Sequence, residues 1–181
     1  MPSPPTPPLL RPATHADIPA VQQVGRDADA RYRHAGHPEL DDGTEIPEPV
    51  ATGAIAESRL WVACVDDLVV GFAYVGRIDG EPCLGQLSVA IAHGRRGIGA
   101  ALLQGAMQRA REGGATSMVL NAQADVPWGA PFYARHGFVV VPESDWGPAL
   151  AKVTAQQRDD GLDWSSRVHM RAALGSQSFE R

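Results

Sequence analysis

A chain of 181 residues with 44% hydrophobic residues is long enough to form one domain with a substantial core. Its formal net charge of −5 argues against a general nucleic-acid binder, which carries a basic face. No apolar run approaches the roughly 20 residues that a membrane helix needs, and the N-terminus lacks a secretory signal pattern, so a cytoplasmic location is expected.

The pattern of apolar residues predicts an α+β fold with the chain order β α α β β β α β α β α β. We expect a central mixed, mostly antiparallel sheet flanked by helices. The predicted strands span residues 9–12, 60–65, 68–75, 83–89, 117–121, 138–141 and 167–172. The predicted helices span residues 14–33, 48–59, 97–112, 127–136 and 148–158.

The chain ends and the cysteines complete the expected organisation. Residues 1–8 hold five prolines, which cannot donate backbone hydrogen bonds, and they predict a disordered tail. A single domain is expected over residues 9–174, with a flexible tail over 175–181. Cys64 and Cys83 fall on strands separated by another strand. Two strand spacings of about 4.8 Å exceed the reach of a disulfide, so free thiols are expected.

The most informative segment is the glycine-rich turn between the strand at 83–89 and the helix at 97–112. The first amides of a helix have no internal partners, and the helix dipole adds positive charge there. Glycines let such amides approach an anion closely, and neighbouring arginines can add charge-assisted hydrogen bonds. The turn therefore predicts a site for a diphosphate.

Three classes of ligand use such a turn. A Walker A loop needs Gly-Lys-Ser/Thr, which is missing here. A dinucleotide fingerprint needs a third glycine where Leu102 stands, and it needs an early βαβ unit. The third class is the diphosphate of coenzyme A. A helix start that merely contains glycines remains the alternative interpretation of the turn taken alone.

Two segments resemble the GNAT (GCN5-related N-acetyltransferase) superfamily. Gln86-Leu87-Ser88-Val89 followed by Gly94-Arg95-Arg96-Gly97-Ile98-Gly99 resembles the central motif, Gln/Arg-x-x-Gly-x-Gly/Ala. Gly97 and Gly99 match the last two fixed positions of this pattern. Its first fixed position falls on Gly94, which departs from the pattern. Residues 131–138, Pro-Phe-Tyr-Ala-Arg-His-Gly-Phe, resemble the second motif. The resemblance implies a GNAT-like sheet that splays in its middle and holds the pantetheine arm there like an added strand.

The resemblance also implies which residues bind acetyl-CoA, the expected cosubstrate, without any metal. The backbone of Leu87 and Val89 would hold the pantetheine amide and the thioester oxygen, and the amides of residues 95–100 would hold the diphosphate. Arg135 either reaches a CoA phosphate or is a solvated helix arginine. The expected cofactor-binding residues are Leu87, Ser88, Val89, Gly94, Arg95, Arg96, Gly97, Ile98, Gly99, Ala100, Asn121, Phe132 and Arg135.

Tyr133 is the candidate catalytic residue. In the family, a tyrosine at this motif position is the general acid, and a phenol is protonated at neutral pH. A core tyrosine is the alternative interpretation. The general base is less defined, because Gln86 stands where many relatives carry glutamate and cannot accept a proton from an ammonium. Ordered waters or Glu39 can serve instead.

The loop over residues 34–49 carries acids without any Lys or Arg to offset them. An acidic rim over the acceptor site would attract a cationic amine, and a solvated charged loop is the alternative. Glu39 and Gln86 are the expected substrate-binding residues.

The sequence thus predicts an N-acyltransferase that moves an acetyl group from acetyl-CoA to a primary amine of a small, cationic molecule by direct attack in a ternary complex. The alternatives are a protein N-terminal or lysine acetyltransferase, a non-catalytic acyl-CoA-binding regulatory module, and a nucleotide-binding protein. The expected partner is a small-molecule amine, with no nucleic acid and no membrane. The resemblance leaves a homodimer as one option.

Overall fold

The computed structural model describes residues 7–43 and 45–175. The tails predicted over 1–8 and 175–181 lie outside these ranges, apart from Pro7, Pro8 and Gly175. The strands are β1 (Leu9–Pro12), β2 (Leu60–Val65), β3 (Leu68–Ile78), β4 (Glu81–Val89), β5 (Ser117–Gln123), β6 (Val139–Val140) and β7 (Arg167–Ala173). The helices are α1 (Ile18–His34), α2 (Glu48–Ala56), α3 (Ile98–Glu112), α4 (Ala130–Ala134) and α5 (Pro148–Asp159).

Seven strands of the described ranges form one mixed sheet in the order β1-β2-β3-β4-β5-β7-β6. The pairs β1–β2, β2–β3, β5–β7 and β6–β7 are antiparallel, whereas β4 and β5 run parallel. The α+β class and the mostly antiparallel sheet are confirmed. Most predicted element bounds agree to within a few residues. The exceptions are α4, which is half the predicted length, and β6, which keeps only two residues.

The chain comprises two compact units, the first formed by Met1–Val75 with Gln86–Ala106 and the second by Gly76–Gly85 with Met107–Arg181. In the first unit, α1 buries one residue every three or four positions, which is the spacing of an amphipathic helix. The buried core of this unit is Ala13, Ile18, Val21, Val24, Ile46, Ala51, Ala54, Leu60, Val62, Cys64 and Phe72.

Asp17 ends a 3₁₀ turn (His15–Asp17) that leads directly into α1. Its carboxylate accepts hydrogen bonds from both terminal nitrogens of Arg11, at 2.7 and 2.8 Å. It also accepts from the backbone N–H and the hydroxyl of Thr14, at 2.7 and 2.8 Å. The Arg11 guanidinium holds the pKa of this carboxyl well below its usual range. Thr14 and Asp17 therefore form a capping box for this 3₁₀ turn, whereas Asp17 stands at the N-cap of α1 without a side-chain hydrogen bond to that helix.

The second unit builds its core on β5 and β7, with Met118, Val119 and Leu120 almost fully buried. Asp79, in the hairpin between β3 and β4, caps α5 in this unit. Its two carboxylate oxygens accept from the backbone N–H groups of Ala149 and Leu150, at 2.9 and 3.2 Å. The first turn of α5 therefore obtains its partners from a distant hairpin rather than from its own flanking residues.

Cys64 and Cys83 are free thiols, as predicted. Burial raises the pKa of the Cys83 thiol to about 11, which keeps it protonated at neutral pH. None of the helices in residues 7–43 and 45–175 is long and apolar enough to cross a membrane.

His169 is a buried polar residue of β7. The Thr154 hydroxyl donates its hydrogen to the Leu150 carbonyl at 2.9 Å, so His169 Nε2, 2.8 Å away, must be the donor to Thr154. The other ring nitrogen, Nδ1, is buried without a hydrogen-bond partner among the described residues. The rings of Trp146 and Trp164 lie 4.8 and 4.7 Å from the imidazole. The histidine is therefore held neutral.

Acid is expected to destabilise the protein through His169. Burial and the charge of Arg167 lower its folded pKa to about 4, against about 6.5 in an unfolded chain. The contribution of neutral His169 to the free energy of unfolding is thus fully present above pH 6.5. It is lost as the pH drops towards 4, by roughly 3 kcal/mol at most. Urea unfolding of the wild-type and His169→Phe proteins between pH 7 and 4.5 should show a smaller acid loss in the variant.

The relevant quantity is the difference between wild type and His169→Phe in the stability lost on acidification, because Asp29 titrates in the opposite sense in both proteins. Burial raises the pKa of Asp29 to about 6, so its contribution to stability grows as the pH falls through that value. Parallel pH profiles for wild type and variant would show that His169 is not the group responsible.

Candidate functional site

The segment that joins β4 to α3 is held by two hydrogen bonds at its beginning. The chain leaves β4 through Ala90, whose N–H donates to the Val70 carbonyl at 2.9 Å. The next amide, that of Ile91, donates to the Asp27 carboxylate on α1 at 2.7 Å. Ile91 begins a short 3₁₀ turn that is closed by the N–H of Gly94, 3.1 Å from the Ile91 carbonyl. The glycine-rich turn therefore starts from a fixed point.

Two residues of the turn adopt left-handed backbone conformations. Arg95 has φ = 61° and Gly97 has φ = 79°. The conformation costs a non-glycine residue about 1–2 kcal/mol, so the strain at Arg95 must be offset by the surrounding structure. A Cβ at Gly97 would meet nothing within 4 Å, so the space beside this glycine is open. Left-handed residues in such turns direct successive N–H groups towards one concave face.

The first turn of α3 continues this face. Ala101 donates to the Gly97 carbonyl at 2.9 Å, which starts the helical hydrogen-bond pattern. Helix geometry then leaves the amides of Ile98, Gly99 and Ala100 without acceptors inside the helix. No acidic residue lies in this first turn, and the side chains of Arg95 and Arg96 are exposed. The turn therefore fits an oxygen-rich anion such as a diphosphate.

Gly71 on β3 sets how closely α3 packs on the sheet. A Cβ there would lie 3.1 Å from both the Leu102 Cδ1 atom and the Ser88 carbonyl oxygen, and 3.3 Å from the Ile98 Cγ2 atom. The absence of a side chain lets the first two turns of α3 rest directly on β3. The Ile98 side chain is buried in this contact, so only its backbone is available to a ligand.

The β4 residues of the central motif differ in exposure. Leu87 and Val89 are half-buried, whereas Ser88 is 3% exposed. The Gln86 amide nitrogen lies 3.4 Å from the Ser88 hydroxyl oxygen, and it would lie 3.4 Å from a Cβ at Gly25. The side chain of Gln86 is therefore held between β4 and α1.

Tyr133 lies on the short helix α4 in the second unit. Its half-buried ring makes edge contacts with Phe132 and Phe138, with centroids 5.1 and 5.8 Å away. Phe138 is the buried ring of this group, at 2% exposure, whereas Phe132 is half-buried and contacts the His136 ring at a tilted angle. Tyr133 is thus packed on one side without being part of the fully buried core.

Gly129 determines where α4 begins. Its N–H donates to the Val126 carbonyl at 3.0 Å, and its own carbonyl accepts from Phe132 and Tyr133 at 2.9 and 3.2 Å. A Cβ at Gly129 would lie 2.1 Å from the Gln123 carbonyl oxygen. The prediction of a helix from residue 127 is therefore wrong, because residues 126–129 form a turn packed against the end of β5.

The remaining CoA-contact candidates have different surroundings. The Asn121 amide oxygen accepts a hydrogen bond from Arg167, so this side chain already has a partner within the second unit. Arg135 is exposed at the C-terminal end of α4. Their expected roles stay predictions.

The acidic loop is partly neutralised by α1. Arg33 lies 2.8 Å from Asp41, and Arg26 lies 2.7 Å from Glu45. Glu39 is exposed and lies 3.2 Å from the His37 ring nitrogen. The loop is therefore less negative than its composition alone indicates.

Sequence reasoning missed Asp29, a half-buried carboxylate on α1. Burial raises its pKa to about 6; the charge of Arg31 opposes this rise, and the charges of Asp42 and Asp41 add to it. Its position four residues after the buried Gly25 was the available signal, because such residues share one face of a helix. In residues 7–43 and 45–175, no group of three or more His, Cys, Asp or Glu residues is arranged to hold a metal ion.

Residues 56–140, which include the turn and α4, match the family model described as "Acetyltransferase (GNAT) domain". By this match, residues 56–140 belong to the GNAT acetyltransferase family. A curated relative of this GNAT domain is the "Uncharacterized N-acetyltransferase YjcF" of Bacillus subtilis (strain 168), 32% identical over 68 residues. That match covers 38% of this chain and 46% of the relative, so it spans less than half of the relative's length.

Solved structures of other proteins share the fold of the GNAT domain. The PaiA N-acetyltransferase of Thermoplasma acidophilum, in complex with coenzyme A, has a TM-score of 0.66 at 16% identity, over 93% of this chain and 99% of that one. The N-acetylglutamate synthase of Neisseria gonorrhoeae, complexed with coenzyme A and N-acetyl-glutamate, has a TM-score of 0.69 at 17% identity, over 93% of this chain and 35% of that one.

Proposed function

We propose that this protein transfers an acetyl group from acetyl-CoA to the primary amine of a small, cationic molecule by direct attack in a ternary complex. The observation that carries the proposal is the glycine-rich turn over residues 95–100, which leads into α3 within the segment that matches the GNAT model and leaves the first amides of α3 without helical acceptors. The coenzyme supplies an activated thioester. That two relatives of the same fold are complexed with coenzyme A supports this choice of cosubstrate.

In this proposal the turn holds the diphosphate of the cosubstrate. The amides of Ile98, Gly99 and Ala100 donate to phosphate oxygens, and the exposed Arg95 and Arg96 side chains add charge-assisted hydrogen bonds. The backbone of Leu87 and Val89 positions the thioester end. Because backbone donors form these contacts, the site needs an exact chain path more than particular side chains.

Proton transfer is the task of the side chains. An alkylamine has a pKa of about 10, so an amine bound as its ammonium form must lose a proton before it attacks. The thiolate that leaves must gain a proton, and the phenol of Tyr133 is the proposed donor. The net negative charge of the chain favours the approach of a cationic amine over that of an acidic one.

Asp29 is the proposed general base, in preference to Glu39. Its half-burial and its pKa of about 6 make it ionised yet basic near neutral pH, and it lies one turn beyond the point where α1 meets Gln86. We expect kcat/KM of the wild type to fall as the pH drops through 6. In Asp29→Asn, kcat/KM should be tens of times lower and should no longer fall as the pH drops through 6. In Glu39→Gln, this fall of kcat/KM should remain. The opposite pattern would assign the base to Glu39.

The function is tested by measuring free-thiol release from acetyl-CoA with a panel of amines. The panel holds polyamines, amino sugars, amino acids and peptides with free N-termini or lysines. Small cationic amines should accelerate thiol release well above the rate without amine. Acceleration by peptides alone would indicate a protein acetyltransferase. Tight CoA binding without any accelerated release would indicate a non-catalytic module.

A further inference from the structure

The carboxylate of Asp27 makes a long-range contact with the segment that leads into the glycine-rich turn. Its Oδ2 atom accepts the Ile91 N–H at 2.7 Å, joining α1 to a residue 64 positions later in the chain. A carboxylate acceptor makes this hydrogen bond charge-assisted and stronger than one between neutral groups. Residue 27 lies outside residues 56–140, the part that matches the family model.

The hydrogen bond fixes one of two consecutive amides that lead into the turn. The first, that of Ala90, is held by the Val70 carbonyl, and the second, that of Ile91, is held by Asp27. The N–H groups of His93 and Gly94 then donate to the carbonyls of Ala90 and Ile91, at 2.9 and 3.1 Å. The orientation set at Ile91 is therefore passed directly to the residues that follow.

This bond lies at the surface. The Ile91 side chain is 51% exposed, and water can replace a lost acceptor there. Its contribution to the stability of the whole protein is therefore small, whereas its effect on the local chain path is direct. A negative charge beside an anion-binding turn also brings no electrostatic benefit to the anion. Orientation is what this carboxylate contributes.

We propose that Asp27 is a positioning residue for the coenzyme, whose hydrogen bond to the Ile91 amide aligns the N–H groups of residues 95–100 with the diphosphate. The inference rests on the proposed function, because it takes the diphosphate of CoA as the anion. Donors of this kind lose much of their effect when they are displaced by about 0.5 Å.

The test compares Asp27→Ala, Asp27→Asn and Asp27→Glu with the wild-type protein. Alanine removes the acceptor while favouring the helix, so α1 should persist. Asparagine keeps an acceptor at the same position without the charge, and glutamate keeps the charge but moves the acceptor. Gln23→Ala, an exposed substitution on the same helix, is the matched control.

Calorimetric titration with CoA, and with pantetheine as a fragment that lacks the diphosphate, measures the effect. Asp27→Ala and Asp27→Glu should bind CoA about five- to tenfold more weakly, raise KM for acetyl-CoA similarly and leave kcat within about twofold. Asp27→Asn and Gln23→Ala should bind CoA as the wild type does. Pantetheine affinity and the melting temperature should change little in all four variants.

The outcomes separate this inference from the proposed function. A wild-type protein that fails to bind CoA overturns the proposed function and this inference with it. Wild-type affinity of Asp27→Ala for CoA overturns the inference alone. An equal loss of affinity for pantetheine and for CoA also overturns it, because the effect would then not concern the diphosphate.

Discussion

Replacing Tyr133 by phenylalanine is expected to lower kcat by about 100-fold while KM for acetyl-CoA changes less than about threefold. The substitution removes one hydroxyl and keeps the ring, so the packing against Phe132 and Phe138 is retained. The proposed diphosphate contacts come from backbone amides of the first unit and are not altered. Steady-state thiol release with the best amine from the panel measures both constants.

Tyr74→Phe is the matched control for this experiment, since it removes a hydroxyl from another half-buried tyrosine. It should leave kcat unchanged. If Tyr133→Phe also retained the wild-type kcat, the phenol would have no part in proton transfer, and Tyr133 would be a packing residue of α4. A loss confined to KM would instead indicate a role in binding.

Replacing Gly129 by alanine is expected to destabilise the protein by about 2–3 kcal/mol and to reduce activity together with stability. The added methyl group would lie 2.1 Å from the Gln123 carbonyl oxygen and 3.0 Å from a methyl carbon of Val126. The carbonyl belongs to the backbone of β5 and cannot rotate away as a side chain can. The turn must therefore open, which moves the helix that carries Tyr133.

Urea unfolding of Gly129→Ala gives the change in stability, and thiol release at 20 °C and below reports on the displaced helix. Gly53→Ala is the control with the opposite expected sign. Gly53 lies inside α2, where a Cβ meets nothing within 4 Å, so alanine should stabilise the protein by up to about 1 kcal/mol. Equal stability of Gly129→Ala and wild type would mean that the turn tolerates a side chain.

The strands and the larger helices follow from local periodicity, which is why their bounds are predicted well. The segment from β4 to α3 could also be predicted, because its glycines, its arginines and the start of a helix are adjacent in the sequence. The left-handed conformation of Arg95 could not be predicted, since the neighbouring sequence does not indicate that an arginine adopts a positive φ. The α4 boundary was wrong because the carbonyl that limits it belongs to β5.

The side chains around the candidate site also divide into those predictable from local sequence and those that depend on distant parts of the chain. The proposed role of Tyr133 rests on a local sequence motif, whereas the proposed roles of Asp27 and Asp29 rest on a contact and on burial that only the folded chain creates. The acidic loop looked unopposed because its counter-charges, Arg26 and Arg33, lie on α1 before the loop begins. Charge counted along the sequence overstated the charge that a ligand would meet.

A two-residue hairpin tip is ordinarily where an engineer would insert a tag or cut the chain for circular permutation. The tip between β3 and β4 is a poor choice here, because Asp79 is also the cap of α5. An insertion at Asp79 would unravel the start of a helix that follows it by many residues. The hairpin between β2 and β3, with its tip at Asp66 and Asp67, is a safer position for such an insertion.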